Sequence, residues 1–486
     1  MKLKNKRKED EKTTKLCIIG EDIRQYEFLI SGIAEEYGKD FHVDNLALYD
    51  ADKEKKVIMA RWTERFLRHR NYRTKLTVGS DVGEAISDSD FVITVNRAGG
   101  NESRRIDEHI AFKHGVVGAE QTGPGGTINA IRAIHLEMKY AKIAEHAAPD
   151  AWWINYTNPA SFVAEALQRF TKIKSIGQCS LWPERMASIA WDFGLDYERI
   201  RDLFPRIKTV LFGSNQNLWV KEVYVDGRKV TKEWIKKLNM RERETKETYY
   251  GLNPADEKIA LRNLLGMDTL WYILGSMFFA KCELDEWEKT GKSRSDYVIP
   301  LEKKHFEEAS NPDIVDVSPS VWERSGVKNL QSALLEKKFG LKRPLTPSDL
   351  KEGYNLAAPS VMNAIINNTG ENLVCQIQNR GAVDGIEDYM TQEVLCHVDK
   401  KGPHPLPVGE IPISVRGIVL SAAYWQSLTV EAAVEGSYDK ALSALLNCPH
   451  IQHVDKFNVS KQILDEYLEV HKEHLPEFTS ESGLYP

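Results

Sequence analysis

Two glycine-containing stretches hold the residues whose types and spacing are best suited to chemistry. An apolar run at residues 91–95 (FVITV) leads into Asn96, Arg97 and a pair of glycines, and residues 120–126 (EQTGPGG) precede a segment with helical spacing. Glycine lets the backbone approach a ligand closely, and the amides at a helix N-terminus attract anions. Together these stretches indicate a backbone that holds a pyrophosphate or a sugar ring.

A third stretch is the apolar run LCIIG, which ends at Gly20. The first strand of a Rossmann unit ends in a glycine in the same way. Asp50 follows a second apolar run, where a carboxylate binds the adenosine ribose, although it lies 30 residues after Gly20 rather than about 20. The loop GEDIRQ keeps only the first glycine of the dinucleotide fingerprint, and acidic side chains at 21 and 22 would repel a pyrophosphate. A strand-turn-helix unit without a nucleotide is therefore the alternative interpretation.

The elements that must position these residues alternate between strand and helix up to about residue 200. Strands are predicted at residues 16–20, 46–50, 91–95, 115–118 and 152–155, which favours a parallel sheet covered on both faces. Beyond residue 200 the pattern predicts a hairpin region over 210–229, helices at 256–281, 328–339, 413–446 and 459–473, and strands at 371–378 and 394–398.

These elements predict an α/β chain with two folded units. We expect a disordered tail (1–15), an N-terminal Rossmann-like doubly wound parallel sheet of the kind that binds dinucleotides (16–200), and an α+β domain for substrate binding and oligomerisation (201–486). This is a lactate/malate dehydrogenase-like architecture, and the active site is expected between the two units.

Composition excludes several functional classes. The 486 residues are 42% hydrophobic and 28% charged with a net charge of −6, which gives no basic surface for nucleic acid. No apolar run reaches the ~18 residues of a membrane span. The six cysteines are scattered and form neither a disulfide framework nor a zinc-binding pattern. We expect reduced thiols and a cytoplasmic protein.

Ordered motifs along nearly the whole chain give a resemblance to a known family. They are residues 90–100 (DFVITVNRAGG), 107–108 (DE), 113–115 (KHG), 120–126 (EQTGPGG), 154–159 (INYTNP), 165–167 (EAL), 177–179 (GQC), 379–381 (NRG), 402–405 (GPHP), 428–432 (LTVEA) and 441–445 (ALSAL). Through these motifs and their order, the chain resembles the NAD-dependent glycoside hydrolases of family 4. Glu120 and the following glutamine are transposed relative to the family pattern.

The resemblance implies a mechanism other than the usual two-carboxylate hydrolysis. NAD takes a hydride from C3 of the sugar, a base removes the acidified C2 proton, the aglycone is eliminated, water adds, and the hydride returns. Asn96, Arg97 and Glu120 are then expected to form the floor of a shared cofactor and sugar site. Asn155 and Asn158 are expected to bind sugar hydroxyls and the nicotinamide, although an Asn-Pro pair also shapes turns.

The C2 base in many family members is a tyrosine, and the nearest counterpart here is Tyr272. A phenol has an ordinary pKa near ~10 and needs a neighbouring cation or metal to act as a base at neutral pH. A tyrosine in an apolar helix that serves only packing is the competing interpretation, and Tyr249 and Tyr250 are further candidates for the base.

The metal motif departs from the family. Most members bind Mn²⁺ through a cysteine and a histidine; Cys179 is present, but Gln216 replaces the histidine in GSNQNLW. A carboxamide is a weaker ligand than imidazole for a transition metal. Either Mn²⁺ is bound weakly, or catalysis proceeds without a metal and Gln216 polarises the C3 oxygen. Cys179 is then a substrate contact or a buried thiol.

The substrate signal is Arg294, in a KSRS segment followed by Glu302, which resembles the family segment that grips an anionic C6 group. A guanidinium pairs with phosphate or sulfonate in bidentate fashion, whereas a solvated charged loop is the plainer interpretation. Ser180 replaces the asparagine that binds phosphate in the 6-phospho-glycosidase branch. A C6 sulfonate, as in sulfoquinovose, or a C6 phosphate is therefore expected.

Three function classes follow from these observations. The favoured one is an NAD-dependent glycosidase that acts on a small sugar glycoside and forms a homodimer or homotetramer, as the family does. An NAD-dependent dehydrogenase of the lactate/malate type would instead accumulate NADH. A non-catalytic NAD or sugar sensor would bind the cofactor without cleaving any glycoside.

Overall fold

The computed structural model describes residues 13–20, 23–120, 122–215, 217–245, 255–269, 280–315 and 355–484. Its strands, in chain order, are β1 (Lys15–Ile19), β2 (Asn45–Tyr49), β3 (Lys75–Val78), β4 (Phe91–Thr94), β5 (Trp152–Asn155), β6 (Lys174–Gly177), β7 (Ile207–Ser214), β8 (Asn217–Val225), β9 (Arg228–Lys229), β10 (Asp268–Thr269), β11 (Glu371–Gln378), β12 (Val383–Asp384), β13 (Thr391–Asp399), β14 (Gly402–Pro405) and β15 (Gly409–Glu410).

The described residues form fifteen α-helices. In chain order they are α1 (Ile23–Ser31), α2 (Lys53–His69), α3 (Val82–Ile86), α4 (Gly100–Lys113), α5 (Pro124–Ala147), α6 (Ala160–Phe170), α7 (Leu181–Phe193), α8 (Thr231–Thr245), α9 (Ala255–Leu265), α10 (Ala280–Thr290), α11 (Arg294–Ser310), α12 (Ala357–Asn367), α13 (Ile413–Glu435), α14 (Tyr438–Asn447) and α15 (Lys456–His471). None of these combines the length and apolar composition of a membrane-spanning segment.

The central sheet has the order β14-β13-β11-β6-β5-β4-β1-β2-β3, and β1 to β6 pair in parallel. Alternate residues of β1 enter different cores: Leu16 and Ile18 pack on one face of the sheet, and Cys17 and Ile19 on the other. Such all-apolar strands are stable only when helices cover both faces. The predicted α/β fold with a doubly wound parallel sheet is confirmed.

Strands from the second half of the chain extend this sheet. β11 runs antiparallel to β6, with Gln376 opposite Gly177, and pairs in turn with β13. A Cβ at Gly177 would lie 2.5 Å from Gln376 Oε1 and 2.8 Å from Ala164 Cβ, so glycine permits this crossing. β7 to β10 form a separate antiparallel sheet. Across the sequence boundary proposed at residue 200, the two halves therefore share one sheet, and both hydrophobic cores contain residues from each half.

Three predicted elements differ in the structure. Residues 115–118 form no strand, because Gly115 (φ 70°) starts a turn and Gly118 lies against the backbone of Glu108. The helix predicted over 256–281 ends at Leu265, where Gly266 (φ 69°) turns the chain into β10. The run over 413–446 is two helices divided at Gly436 (φ 67°). The helix predicted over 328–339 lies outside the described residues.

Candidate active site

Most of the predicted site residues lie along one edge of the central sheet, where the parallel strands end. Gly20 follows β1, Asp50 follows β2, Asn96 and Arg97 follow β4, and Cys179 and Ser180 follow β6. From β1 the chain passes to β2 on one side, whereas from β4 it passes to β5 on the other. Ligands of open α/β sheets bind at such a switch point. Sequence reasoning thus selected residues that the fold brings together.

The loop after β1 touches the loop after β4 at Gly20. Its φ of 108° suits glycine, and an added Cβ would lie 2.6 Å from Asn96 Oδ1 and 2.7 Å from Asn96 N. Asp50 is nearly buried at the end of β2 and accepts a hydrogen bond from the amide of Asp52 at 2.6 Å. A close backbone approach beside a strand-end carboxylate fits the adenosine half of NAD.

The turn after β5 is organised by Asn155. Its carboxamide nitrogen donates to the carbonyl oxygens of Thr157 (3.1 Å) and Ala160 (3.2 Å). Its oxygen accepts from Thr157 N and Thr94 Oγ1, each at 3.1 Å. This fully buried amide therefore shapes the turn, and its direct contact with sugar or nicotinamide stays a prediction. Asn158 is half-buried and is the better placed of the two to meet a ligand.

A buried ion cluster lies beside this edge. Glu120 pairs with Arg97 and, at 3.0 Å, with Arg104, and all three side chains are less than 10% exposed. Burial opposes ionisation of Glu120, but the charges of Arg104 and Arg97 outweigh it and lower the pKa of this carboxyl to about 2. Glu120 therefore stays ionised, and it holds two guanidinium groups side by side.

Arg294 joins this cluster from the start of α11. Ser293 caps that helix through Asp296, and the amide of Ser295 donates to Glu108 Oε2 at 2.9 Å, which ties α11 to α4. The positive charge of Arg294 contributes to the lowered pKa of Glu120. Arg97, Arg104 and Arg294 thus approach one carboxylate from three different segments of the chain.

Carboxylates balance part of this positive charge. Arg104 Nε donates to Glu108 Oε1 at 2.8 Å. Glu283 on α10 is half-buried near Glu108; desolvation and that neighbouring charge raise its pKa to about 7, although Arg294 opposes the shift. Glu302 accepts a hydrogen bond from Asn101 Nδ2 at 2.7 Å, at the N-terminus of α4. Arg294 and Glu302, which were predicted to lie in one substrate-binding segment, therefore both lie on the helix α11 that packs against α4.

Cys179 and Ser180 are nearly buried between β6 and α7. The preceding Gln178 is fixed by hydrogen bonds from its Nε2 to Val374 O (3.1 Å) and Cys375 Sγ (3.2 Å). Arg185, on α7, pairs with Asp268 at 3.2 Å, which directs its charge toward β10. The strand end, the cysteine and the start of α7 are therefore held rigidly by the second half of the chain.

Gln216, Tyr249, Tyr250 and Tyr272 lie outside the described residues, but the structure places Asn215 before Gln216 and Thr269 three residues before Tyr272. Asn215, before Gln216, donates its backbone amide to Ser161 Oγ at 3.2 Å and its side-chain amide to Glu393 Oε2 at 2.9 Å. Thr269, three residues before Tyr272, pairs with Trp219, three residues after Gln216. Three residues span at most about 10 Å. The anchors of Tyr272 and Gln216 are thus adjacent.

The donor set does not fit Mn²⁺ well. In the part of the chain that the structure describes, no three histidine, cysteine or acidic side chains are grouped to hold a metal. Cys179 and Gln216 offer one thiol and one neutral carboxamide, without the imidazole that a transition metal prefers. No step of the chemistry proposed below is assigned to a metal.

Glu393 is a buried carboxyl behind the Asn215 turn, and burial raises its pKa to about 7 against hydrogen bonds from Asn215 and Gln376. Because the folded pKa exceeds the ordinary value, its favourable contribution to stability is complete below about pH 4.5 and is lost as pH rises through 7. Compared with Glu393→Gln, the wild type should lose up to about 3 kcal/mol more unfolding free energy between pH 4.5 and 8.

Urea denaturation at several pH values measures this difference. Glu387→Gln, in the exposed connection between β11 and β13, is the matched control and should follow the wild type. Parallel stability curves for Glu393→Gln and wild type would contradict the raised pKa.

Sequence reasoning gave no site role to Arg104, Glu108, Glu137, Glu283 or Glu393, although Glu108 belongs to the DE motif at residues 107–108. Arg104 and Glu108 are four residues apart on α4, seven and eleven residues after Arg97, so helical spacing from Arg97 was the available signal. Glu137 lies in an apolar helix face, where an isolated carboxylate is informative because charged residues are rarely fully buried. Glu283 and Glu393 acquire their neighbours only through tertiary packing.

The fold and the site define a Rossmann-type enzyme in which a second α+β half completes the active-site edge. The family model described as "Family 4 glycosyl hydrolase" matches residues 16–190, and the one described as "Family 4 glycosyl hydrolase C-terminal domain" matches residues 191–451. The chain therefore belongs to the family 4 glycosyl hydrolases and is a glycosidase.

Curated relatives and solved structures agree with this assignment. The chain is 29% identical to a probable 6-phospho-beta-glucosidase of Bacillus subtilis, over 96% of this chain and 98% of the relative. It is 28% identical to a maltose-6'-phosphate glucosidase of the same organism, over 90% and 92%. The 6-phospho-beta glucosidase of Thermotoga maritima, solved with manganese, NAD+ and glucose-6-phosphate, shares the fold with a TM-score of 0.79 at 22% identity, over 96% of this chain and 100% of that one.

Proposed function

We propose that this protein is an NAD-dependent glycoside hydrolase that cleaves hexosides with an anionic group at C6. The observation that carries the proposal is the convergence of Arg97, Arg104 and Arg294 beside the strand-end edge. Guanidinium groups recognise phosphate and sulfonate through paired hydrogen bonds. Where Glu283 is protonated, which its raised pKa of about 7 favours, three guanidiniums face the carboxylates of Glu120 and Glu108 and leave an excess of positive charge that suits an anionic sugar.

A 6-phosphate is the favoured C6 group. The two curated relatives above are described as acting on 6-phospho-sugars, and the Thermotoga maritima enzyme was solved with glucose-6-phosphate. Ser180 in place of the phosphate-binding asparagine favours the smaller charge of a sulfonate, as in sulfoquinovose. Both anions present three oxygens to the arginines, so the test compares them directly.

NAD, when bound, supplies the hydride acceptor at C3 of the sugar. Gly20 and Asp50 would hold its adenosine half, and Asn96, Asn158 and Arg97 would meet the nicotinamide and the sugar. Tyr272 would remove the C2 proton, and Gln216 and Cys179 would hydrogen-bond the C3 oxygen. In this arrangement hydrogen bonds, and not Mn²⁺, polarise the C3 oxygen of the sugar. We therefore propose that Mn²⁺ is dispensable.

The chromogenic substrates p-nitrophenyl 6-phospho-hexoside and p-nitrophenyl sulfoquinovoside test the proposal. With NAD+ we expect cleavage of one of them that survives EDTA, and at least 100-fold less with the uncharged hexoside, because a bidentate charge-assisted pair contributes about 3 kcal/mol. Strict dependence on Mn²⁺ would refute the metal-free mechanism. Stoichiometric accumulation of NADH would indicate a dehydrogenase, and NAD+ binding without cleavage would indicate a sensor.

We also propose a cytoplasmic location and a homodimer or homotetramer. Five cysteines, at 17, 179, 375, 396 and 448, are buried free thiols, which suits a reducing compartment. Light scattering after size-exclusion chromatography measures the oligomeric state, and a monomer at micromolar concentration would contradict this part of the proposal.

A further inference from the structure

A fully buried carboxylate on α5, Glu137, connects two loops of the strand-end edge. Its Oε1 accepts a hydrogen bond from Asn96 Nδ2 at 2.7 Å and another from Thr157 Oγ1 at 2.8 Å. Thr157 Oγ1 in turn accepts from the backbone amide of Asn96 at 3.0 Å. The loop after β4 and the turn after β5 are therefore joined through one carboxylate.

The network reaches the loop after β1 through the other end of the Asn96 side chain. Asn96 Oδ1 lies where a Cβ on Gly20 would be only 2.6 Å away. Ionised Glu137 only accepts, so it binds the amide nitrogen of Asn96 and leaves the amide oxygen directed at Gly20. This hydrogen bond therefore selects one of the two orientations of the carboxamide.

The surroundings of Glu137 supply donors but burial opposes its charge. Burial raises its pKa to about 7, although the hydrogen bonds from Asn96 and Thr157 act in the opposite direction. These two donors come from the loop after β4 and the turn after β5, and neither titrates near neutral pH. Tyr140, also on α5, is a titratable neighbour, and burial together with Tyr49, Glu137 and Asp50 raises the pKa of its phenol.

We propose that Glu137 is a positioning residue of the cofactor site: it fixes the Asn96 carboxamide, and through it the junction of the loops that receive NAD. The inference rests on the proposed function, because NAD as the ligand of this edge is itself proposed. Ionised Glu137 is the stronger acceptor for Asn96 and Thr157. NAD affinity is therefore highest when this carboxyl is ionised.

Calorimetric titration of NAD+ into the full chain, from pH 6 to 8.5, tests the inference. The wild type should bind several-fold more weakly at pH 6 than at pH 8. Glu137→Gln keeps the shape and one acceptor oxygen but not the charge, so it should bind about 10-fold more weakly at pH 8 and show little dependence on pH. Glu137→Leu removes the acceptor and should bind more weakly still.

Glu165→Gln is the matched control, since Glu165 is an equally buried carboxylate on α6 that contacts Gln426, Thr391 and Arg169 instead of these loops. It should bind NAD+ as the wild type does. Thermal melts of each variant show whether it is folded, and if Glu137→Leu does not fold, the isosteric Glu137→Gln decides. Wild-type affinity and pH profile in Glu137→Gln would overturn the inference, whereas no binding by the wild type would overturn the proposed function.

Discussion

Tyr272→Phe is expected to lower kcat about 100- to 10,000-fold, because the variant keeps the aromatic ring but loses the general base for the C2 proton. NAD+ affinity should stay within about twofold of wild type, since the phenol oxygen is not assigned to cofactor binding. The measurement is steady-state cleavage of the chromogenic substrate identified above, together with the kinetic isotope effect of the C2-deuterated substrate. The isotope effect should increase in the variant as proton removal becomes more rate-limiting.

Tyr250→Phe and Tyr249→Phe are the controls, because they make the same chemical change at the rival tyrosines. Each should keep near-wild-type kcat. Full activity in Tyr272→Phe combined with a large loss in either control would transfer the role of base to that residue. The position of Thr269 opposite Trp219, three residues beyond Gln216, is the structural reason for preferring Tyr272.

Glu120→Ala is expected to destabilise the fold by about 3 to 5 kcal/mol, because it leaves the buried guanidiniums of Arg97 and Arg104 without their shared carboxylate. Urea denaturation at pH 7 measures the loss. Because the folded pKa of Glu120 is lowered to about 2, its contribution is complete above about pH 4.5 and disappears as pH falls toward 2. The difference from wild type should therefore shrink in acid.

Glu102→Ala is the matched control on the same helix. Glu102 pairs with Arg105 at 2.8 Å, but its side chain is 62% exposed. Solvent screens such a pair, so its removal should change the unfolding free energy by less than about 0.5 kcal/mol. Equal effects of the two substitutions would show that the Glu120 cluster is not energetically distinct from a surface ion pair.

Some residues of the site can be recognised from local sequence, whereas their contacts appear only in the folded structure. Gly20, Asp50 and Asn96 were recognisable because each directly follows an apolar strand, and parallel strands end at a common edge. The strand predicted at residues 115–118 was wrong because that prediction also relied on local sequence. A short apolar run between glycines does not distinguish a strand from a turn packed against a helix. Asn155 was recognised as important, yet its hydrogen bonds to the turn emerge only from the fold.

The sequence by itself determined the α/β class, the glycosidase family and the strand-end residues, because alternating apolar periodicity and ordered motifs are local properties of the chain. Only the tertiary structure decided that β11 and β13 complete the first sheet, that Arg104 and Arg294 meet Glu120, and that Glu137 holds Asn96. The physical reason is that burial and pairing of charges depend on segments far apart in sequence. A carboxylate shows its role only when its neighbours and its isolation from water are known.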